Sequence, residues 1–182
     1  MKLFIAVDAS AEVKDYLYDF QKRLKKDYAK IAWVPKKNLH VTLKFLGEVE
    51  EGKLDLLKNA LKEVKFNAFK LRLGNIGFFP DVKRPRVIWV GLEPEEPLIA
   101  LQQKVDEALL TMFSGEQTFK CHLTLGRVKA LKKPIEFIKN AQEVKVEAKE
   151  FLVDSFKLMK SELKNASPIY TSLEEFKGDS QP

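Results

Sequence analysis

His40 and His122 are the two histidines of this 182-residue chain, and each heads the same phrase: His40-Val41-Thr42-Leu43 and His122-Leu123-Thr124-Leu125. Histidine changes charge near neutral pH, so a matched pair suggests an acid and a base. The chain contains five threonines, which makes a Thr two places after both histidines a pattern that asks for a chemical reason. In an extended strand, residues two apart share a face. His40 and Thr42 then project together, as do His122 and Thr124, while Val41, Leu43, Leu123 and Leu125 turn to a core. A phosphodiester held between two such imidazoles fits this set. The neutral ring takes a proton from a nucleophile, the protonated ring gives one to the leaving oxygen, and the hydroxyls donate to the non-bridging oxygens. This chemistry calls for no metal and no other cofactor.

Arg127 follows His122 by five residues and is a permanent cation suited to holding phosphate. Plain alternation would aim it away from His122, and Gly126 offers a place for a twist or bulge that turns it inward. Lys44 shares the face of His40 and Thr42 under the same alternation, making it a weaker phosphate candidate. Trp33, Trp89, Phe78, Phe79 and Phe45 could stack on a base, but large aromatics at strand positions are usually core. Cys121 precedes His122 and should face the other way, as a small packing residue.

The composition places the chain among globular proteins. Hydrophobic residues make up 45%, enough for one core. The opening apolar run, Leu3 to Val7, is closed by Asp8 and is too short for a signal segment or a membrane span. A single cysteine excludes an intramolecular disulfide and a Cys-x-x-Cys zinc site, and a cytoplasmic setting fits. Net charge +6 favours a polyanionic partner such as RNA. The Lys- and Glu-rich surface also resembles that of proteins from hot-growing organisms. Lys25-Lys26 and Lys132-Lys133 read as solvated surface.

The elements that must position the histidines come from periodicity. After the opening strand, Ser10 caps a helix marked by Val13, Leu17, Phe20 and Leu24. Ile31 to Val34 is extended, and the first His-x-Thr strand runs to Gly47. A second helix spans about Gly52 to Val64, followed by a strand at Leu71-Arg72-Leu73. From Arg86 the order repeats: a strand at Val87 to Val90, a helix with Leu98, Leu101, Val105, Leu109 and Met112, then the second His-x-Thr strand. Leu3 to His40 is 37 residues and Val87 to His122 is 35, which implies an internal duplication. A short helix about Ile135 to Asn140 and extended segments at Val144–Val146, Phe151–Leu158 and Ile169–Phe176 complete the chain. The tail from Lys177 to Pro182 is expected to be loose. The chain is expected to form one domain, residues 1–182, with two pseudo-symmetric lobes at about 1–80 and 86–176, facing each other across a cleft. Residues 80–85 are too short for a flexible linker.

With both motifs in view, the chain resembles the two-histidine phosphoesterase superfamily, and within it the RNA 2′,3′-cyclic phosphodiesterases also called 2′-5′ RNA ligases. The resemblance includes Leu3 to Asp8, His40 through Val49, Phe79-Pro80, Arg84 to Gly91 and His122 through Val128. It implies an α+β fold with antiparallel sheets lining a central cleft and helices outside. It implies hydrolysis of an RNA terminal 2′,3′-cyclic phosphate to a 2′-phosphomonoester. By the family's pattern His40 is the proton donor to the 3′ oxygen and His122 the acceptor that activates water. Thr42 and Thr124 match phosphate-binding hydroxyls, and Arg127 a basic residue of the second motif. Cys121 departs from the proline usual before the second histidine. Expected partners are RNA ends bearing a cyclic phosphate, tRNA fragments included, with no membrane; the protein is expected to be a monomer. Reversible 2′-5′ ligation is a possible side reaction. Alternatives are a phosphodiesterase of small cyclic nucleotides or 2′-5′ oligonucleotides, and a non-catalytic RNA-end-binding protein.

Overall fold

A computed structural model describes residues 1–24, 27–116 and 118–180. The chain runs β1 (Lys2–Asp8), α1 (Ala11–Gln21), β2 (Ala29–Trp33), β3 (His40–Glu48), α2 (Leu54–Lys62), β4 (Phe69–Phe79) and β5 (Val87–Glu93). It continues through α3 (Glu95–Ala108), β6 (His122–Leu131), α4 (Pro134–Glu143), β7 (Glu150–Val153), β8 (Ser155–Lys164) and β9 (Ser167–Lys177). The strands form two sheets, ordered β3-β1-β8-β9 and β2-β6-β5-β4-β7, with antiparallel pairing throughout both. The fold is α+β, and each half of the chain supplies strands to both sheets: β2 and β4 lie with β5 and β6, while β8 and β9 lie with β1 and β3.

The opening strand is central in its sheet, and Leu3, Ile5 and Val7 are almost wholly buried. The same core buries Val13, Leu17 and Phe20, the apolar stripe of α1, whose first turn is capped by Ser10 Oγ accepting from Val13 N at 3.2 Å. In the second half, Leu98, Leu101 and Val105 of α3 are buried in the same way. One continuous core joins both sheets and helices α1 to α4.

Several expectations are corrected by pairing that lies far off in sequence. The extended segment Phe151–Leu158 is two strands broken at Asp154, one paired with β4 and the other with β1, so a single apolar run serves two sheets. Val144–Val146 forms no strand and leads out of α4. The strand at Leu71 continues through Gly74 and Gly77 to Phe79. Gly178 and Asp179 are not loose: Gly178 N donates to Asp154 O, and Asp179 exchanges backbone hydrogen bonds with Phe66 and Ala68. Lys25 and Lys26 lie outside the described residues, as do Gln181 and Pro182, whereas Lys132 and Lys133 are exposed. No helix is long and apolar enough to cross a membrane, among the described residues.

Gly77 stands opposite Trp89 on the neighbouring strand, and the indole lies over it. A Cβ at position 77 would fall 2.2 Å from Trp89 Cζ2. Gly77→Ala should therefore lower stability by about 1–3 kcal/mol, the usual range for overpacking. Urea unfolding checks this, and an unchanged midpoint would show that the indole has room to move.

Candidate active site

Both histidines stand at the first position of their strands, with His40 opposite Asp8 at the end of β1 and His122 opposite Gly91 near the end of β5. Thr42 is then opposite Ala6, and Thr124 opposite Trp89. His40, Thr42, His122 and Thr124 are half-buried, whereas Val41, Leu43, Leu123 and Leu125 are buried in the core. The alternation read from the two motifs is thus present in both strands.

It stops at the threonines. In β3, Thr42 pairs with Ala6 and Lys44 with Ile5, leaving Leu43 as an extra residue; in β6, Thr124 pairs with Trp89 and Gly126 with Ile88, leaving Leu125 extra. Each is a β-bulge, and a bulge reverses the alternation beyond it. Arg127 is opposite Val87, on the face shared by Trp89 and Gly91, so it joins the His122 side of β6. Lys44 goes the other way. It is buried and paired with Asp106 of α3, which removes it as a phosphate ligand and corrects the expectation from plain alternation. Phe45 takes the place on the His40 face instead, opposite Phe4, and is 70% exposed.

The two rings are oriented alike. His40 Nδ1 lies 2.6 Å from Asn38 O, and His122 Nδ1 lies 2.7 Å from Lys120 O, each carbonyl two residues upstream. A carbonyl can only accept, so both Nδ1 atoms carry hydrogen and both Nε2 atoms hold the free lone pair. Thr42 Oγ1, 2.9 Å from His40 Nε2, donates to it while that ring is neutral. Asn38, itself buried, donates from Nδ2 to Pro168 O at 2.9 Å and so ties the anchor of His40 to β9.

Aromatic rings brace each imidazole. Phe4 and Tyr170 lie with centroids 5.1 and 5.4 Å from His40, and Phe79 and Trp89 lie 4.8 and 6.0 Å from His122. Burial among these rings pushes both histidines below the usual 6.5 by disfavouring the charged form; the Asn38 and Lys120 carbonyls pull the other way. The charge of His122 is felt at His40, and that of Arg127 at Tyr170, so groups from the two sheets converge on one region. Strands β3 and β6 are also in contact. A pocket beside His40 is lined by Lys37, Asn38, Lys157, Tyr170, Ser172 and Asp8, whose carboxylate is paired with Lys14 and Lys157. A larger hollow along α3 is lined by Gln102, Asp106, Glu107 and Glu116. It borders the partner of Lys44, and its carboxylates would repel a phosphate.

Of the candidate aromatics, Phe78 is in the core against Phe137 and Trp33 packs beside Gly126, as large strand aromatics should. Phe79 and Trp89 instead border His122, and Phe45 is exposed. Tyr170 carries no signal in the sequence, because its place beside His40 comes from the distant pairing of β8 with β9 and β1. Among the described residues, no three His, Cys, Asp or Glu side chains are grouped so as to hold a metal ion.

The match to known proteins spans the whole site. The family model described as LigT like Phosphoesterase matches twice, at residues 7–89 and 90–170. A curated protein of Archaeoglobus fulgidus named RNA 2′,3′-cyclic phosphodiesterase is 37% identical, over 97% of this chain and 99% of the relative. One of the same name from Methanothermobacter thermautotrophicus is 36% identical, over 97% and 98%. Among solved structures, a Thermus thermophilus protein aligns with a TM-score of 0.77 at 31% identity, covering 97% of both chains. E. coli LigT complexed with 3′-AMP aligns at 0.76 and 26% identity, again over 97% of both.

Cys121 is buried, with Sγ 3.8 Å from Glu95 O, and burial together with Glu95 and Glu96 pushes its thiol up to about 12. Almost no thiolate then exists at neutral pH. The native protein should resist iodoacetamide at pH 8 and react once unfolded in urea; fast labelling of the native form would contradict this placement.

Proposed function

The chain belongs to the family of LigT-like phosphoesterases, and from that premise we propose that it hydrolyses the 2′,3′-cyclic phosphate at an RNA end to a 2′-phosphomonoester. The observation that carries this reading is the matched anchoring of both Nδ1 atoms, which leaves Nε2 of each ring as the atom that takes or gives the proton. His122 Nε2 takes a proton from water as its oxygen forms a bond to phosphorus. The bond from phosphorus to the 3′ oxygen breaks, and His40 Nε2 delivers a proton to that oxygen. Thr42, Thr124 and Arg127 hold the non-bridging oxygens and counter the charge that builds on them. The proton balance closes without a metal: one ring ends protonated, the other neutral, and exchange with solvent resets them.

The reading treats residues 1–182 as one two-lobed catalytic domain that arose by duplication. The same acid and base would let a 5′ hydroxyl replace water, opening the cyclic phosphate to a 2′-5′ linkage, and water at bulk concentration favours hydrolysis. Names of the curated relatives support an RNA substrate, and the net charge of +6 suits one.

Purified protein in EDTA should convert an oligoribonucleotide ending in a 2′,3′-cyclic phosphate to a product heavier by one water and resistant to a 3′-specific phosphatase. His40→Ala and His122→Ala should each lose about 10²–10⁴-fold in kcat. Binding without turnover by the unaltered protein would replace this reading with that of an RNA-end binder.

The pH profile follows from the direction of the shifts. One ring must be neutral and the other protonated, and burial holds both below 6.5 in the free enzyme. The optimum of kcat/KM should therefore lie on the acid side of 6.5. A bound phosphate anion favours the imidazolium, so the optimum of kcat should lie at higher pH than that of kcat/KM. Coincident optima above neutrality would contradict the dry setting of the rings.

A further inference from the structure

Two polar groups are buried beside the bulges that follow the threonines. Gln21, the last residue of α1, is 4% exposed, and its Nε2 donates to Val34 O at 3.0 Å and to Leu125 O at 2.9 Å. Leu125 is the extra residue of the β6 bulge, and its carbonyl also accepts from Val34 N at 2.9 Å. Lys44, next to Leu43 in the β3 bulge, is likewise 4% exposed. Its ammonium donates to Asp106 of α3 and, at 2.7 Å, to Ser114 O; the second carboxylate oxygen of Asp106 accepts from Glu116 N at 2.7 Å.

Gln21 and Asp106 occupy the same place in their helices. Val13, Leu17, Phe20 and Gln21 in α1 have the spacing of Leu98, Gln102, Val105 and Asp106 in α3. Each helix follows the opening strand of one half of the chain and sends its polar group to the histidine strand of the other half.

Burying an amide or an ion pair is costly, and apolar residues of similar volume commonly serve stability as well or better. Gln21 bonds the carbonyl of the β6 bulge directly, and Lys44 is the residue that follows the β3 bulge. The break turns Arg127 to the His122 side and Phe45 to the His40 side; a straight ladder would put Gly126 and Lys44 there. We propose that Gln21 and the Lys44–Asp106 pair are positioning residues for phosphodiester cleavage, holding the bulges at Leu125 and Leu43 so that Arg127 and Phe45 stand beside the threonines facing the substrate. This inference rests on the phosphodiesterase reading given above.

The test is a double-mutant cycle on the cyclic-phosphate oligoribonucleotide, with melting temperatures measured alongside. If the unaltered protein does not turn over, the functional reading fails before any variant is compared. Given turnover, Gln21→Met should lower kcat about 10- to 100-fold, the scale of a small misplacement of reacting groups. In an Arg127→Ala background the same change should cost little more, because the residue that Gln21 aims is already gone. Leu17→Ala on the same helix should lower the melting temperature while leaving kcat near that of the unaltered protein. Losses that multiply in the Gln21→Met/Arg127→Ala double variant, or full activity of Gln21→Met, would overturn the role of Gln21. If Gln21→Met does not fold, the paired change Lys44→Met with Asp106→Leu carries the test, since it leaves no unpaired buried charge. A lowered kcat at an undiminished melting temperature is expected there, and an unchanged kcat would overturn the proposal.

Discussion

The site depends on two backbone ladders, β1 with β3 and β5 with β6, and on where each of them breaks. Asp8 opposite His40 and Gly91 opposite His122 put both histidines at the outermost rung of their pairings, half open to solvent. A slip of one residue would send the imidazoles into the core and bring Val41 or Leu123 out. Burial of Val41, Leu43, Leu123 and Leu125 opposes that slip, each large apolar side chain contributing roughly 1.5–3 kcal/mol. The same apolar residues that stabilise the sheets therefore hold the register of the two histidines, and the extra residue in each strand then aims the side chain that follows.

The two ladders are tied together by the path of the chain. From β3 it passes through α2 into β4, which belongs to the sheet of His122; from β6 it passes through α4 and β7 into β8, which belongs to the sheet of His40. Each histidine strand is thus followed by a segment that helps to build the opposite sheet. Through Tyr170 and Asn38 the exchange reaches the site, because β9 borders His40 although it comes last in sequence. Relative placement of the rings is a property of one shared core, in which neither sheet stands alone.

The chemistry is legible at short range. Thr two places after His, with Val or Leu between, is enough to place four polar side chains on strand faces, because a period of two survives any tertiary context that keeps the strand. Helix α1 is equally plain from Ser10 and the stripe of Val13, Leu17 and Phe20. Gly126 points correctly to an irregularity before Arg127. The matching break at Leu43 has no such marker, and so plain alternation puts Lys44 and Phe45 on the wrong faces. Nor can local pattern show that Phe151 and Phe156 serve different sheets, since both belong to the same apolar run and only their distant partners separate them. Tyr170 and the carbonyls of Asn38 and Lys120 follow from tertiary pairing and leave no composition signal.

Asp8 could have turned His40 into a standing imidazolium, as a carboxylate beside a histidine often does. Two features prevent it. Asp8 already faces Lys14 at 2.5 Å and Lys157 at 3.3 Å, so its charge is shared with two ammonium groups, and Lys14 itself acts against protonation of the ring. The Nδ1 hydrogen of His40 is committed to a neutral carbonyl, which orients the ring without adding a full negative charge. Desolvation by Phe4 and Tyr170 then outweighs the attraction of Asp8. A ring held this way would gain affinity for a proton if an anion were placed beside it, because the charge that favours imidazolium would come with the anion. Arg127 is exposed and carries its charge at no cost in burial, whereas the drier histidines respond to any charge brought beside them.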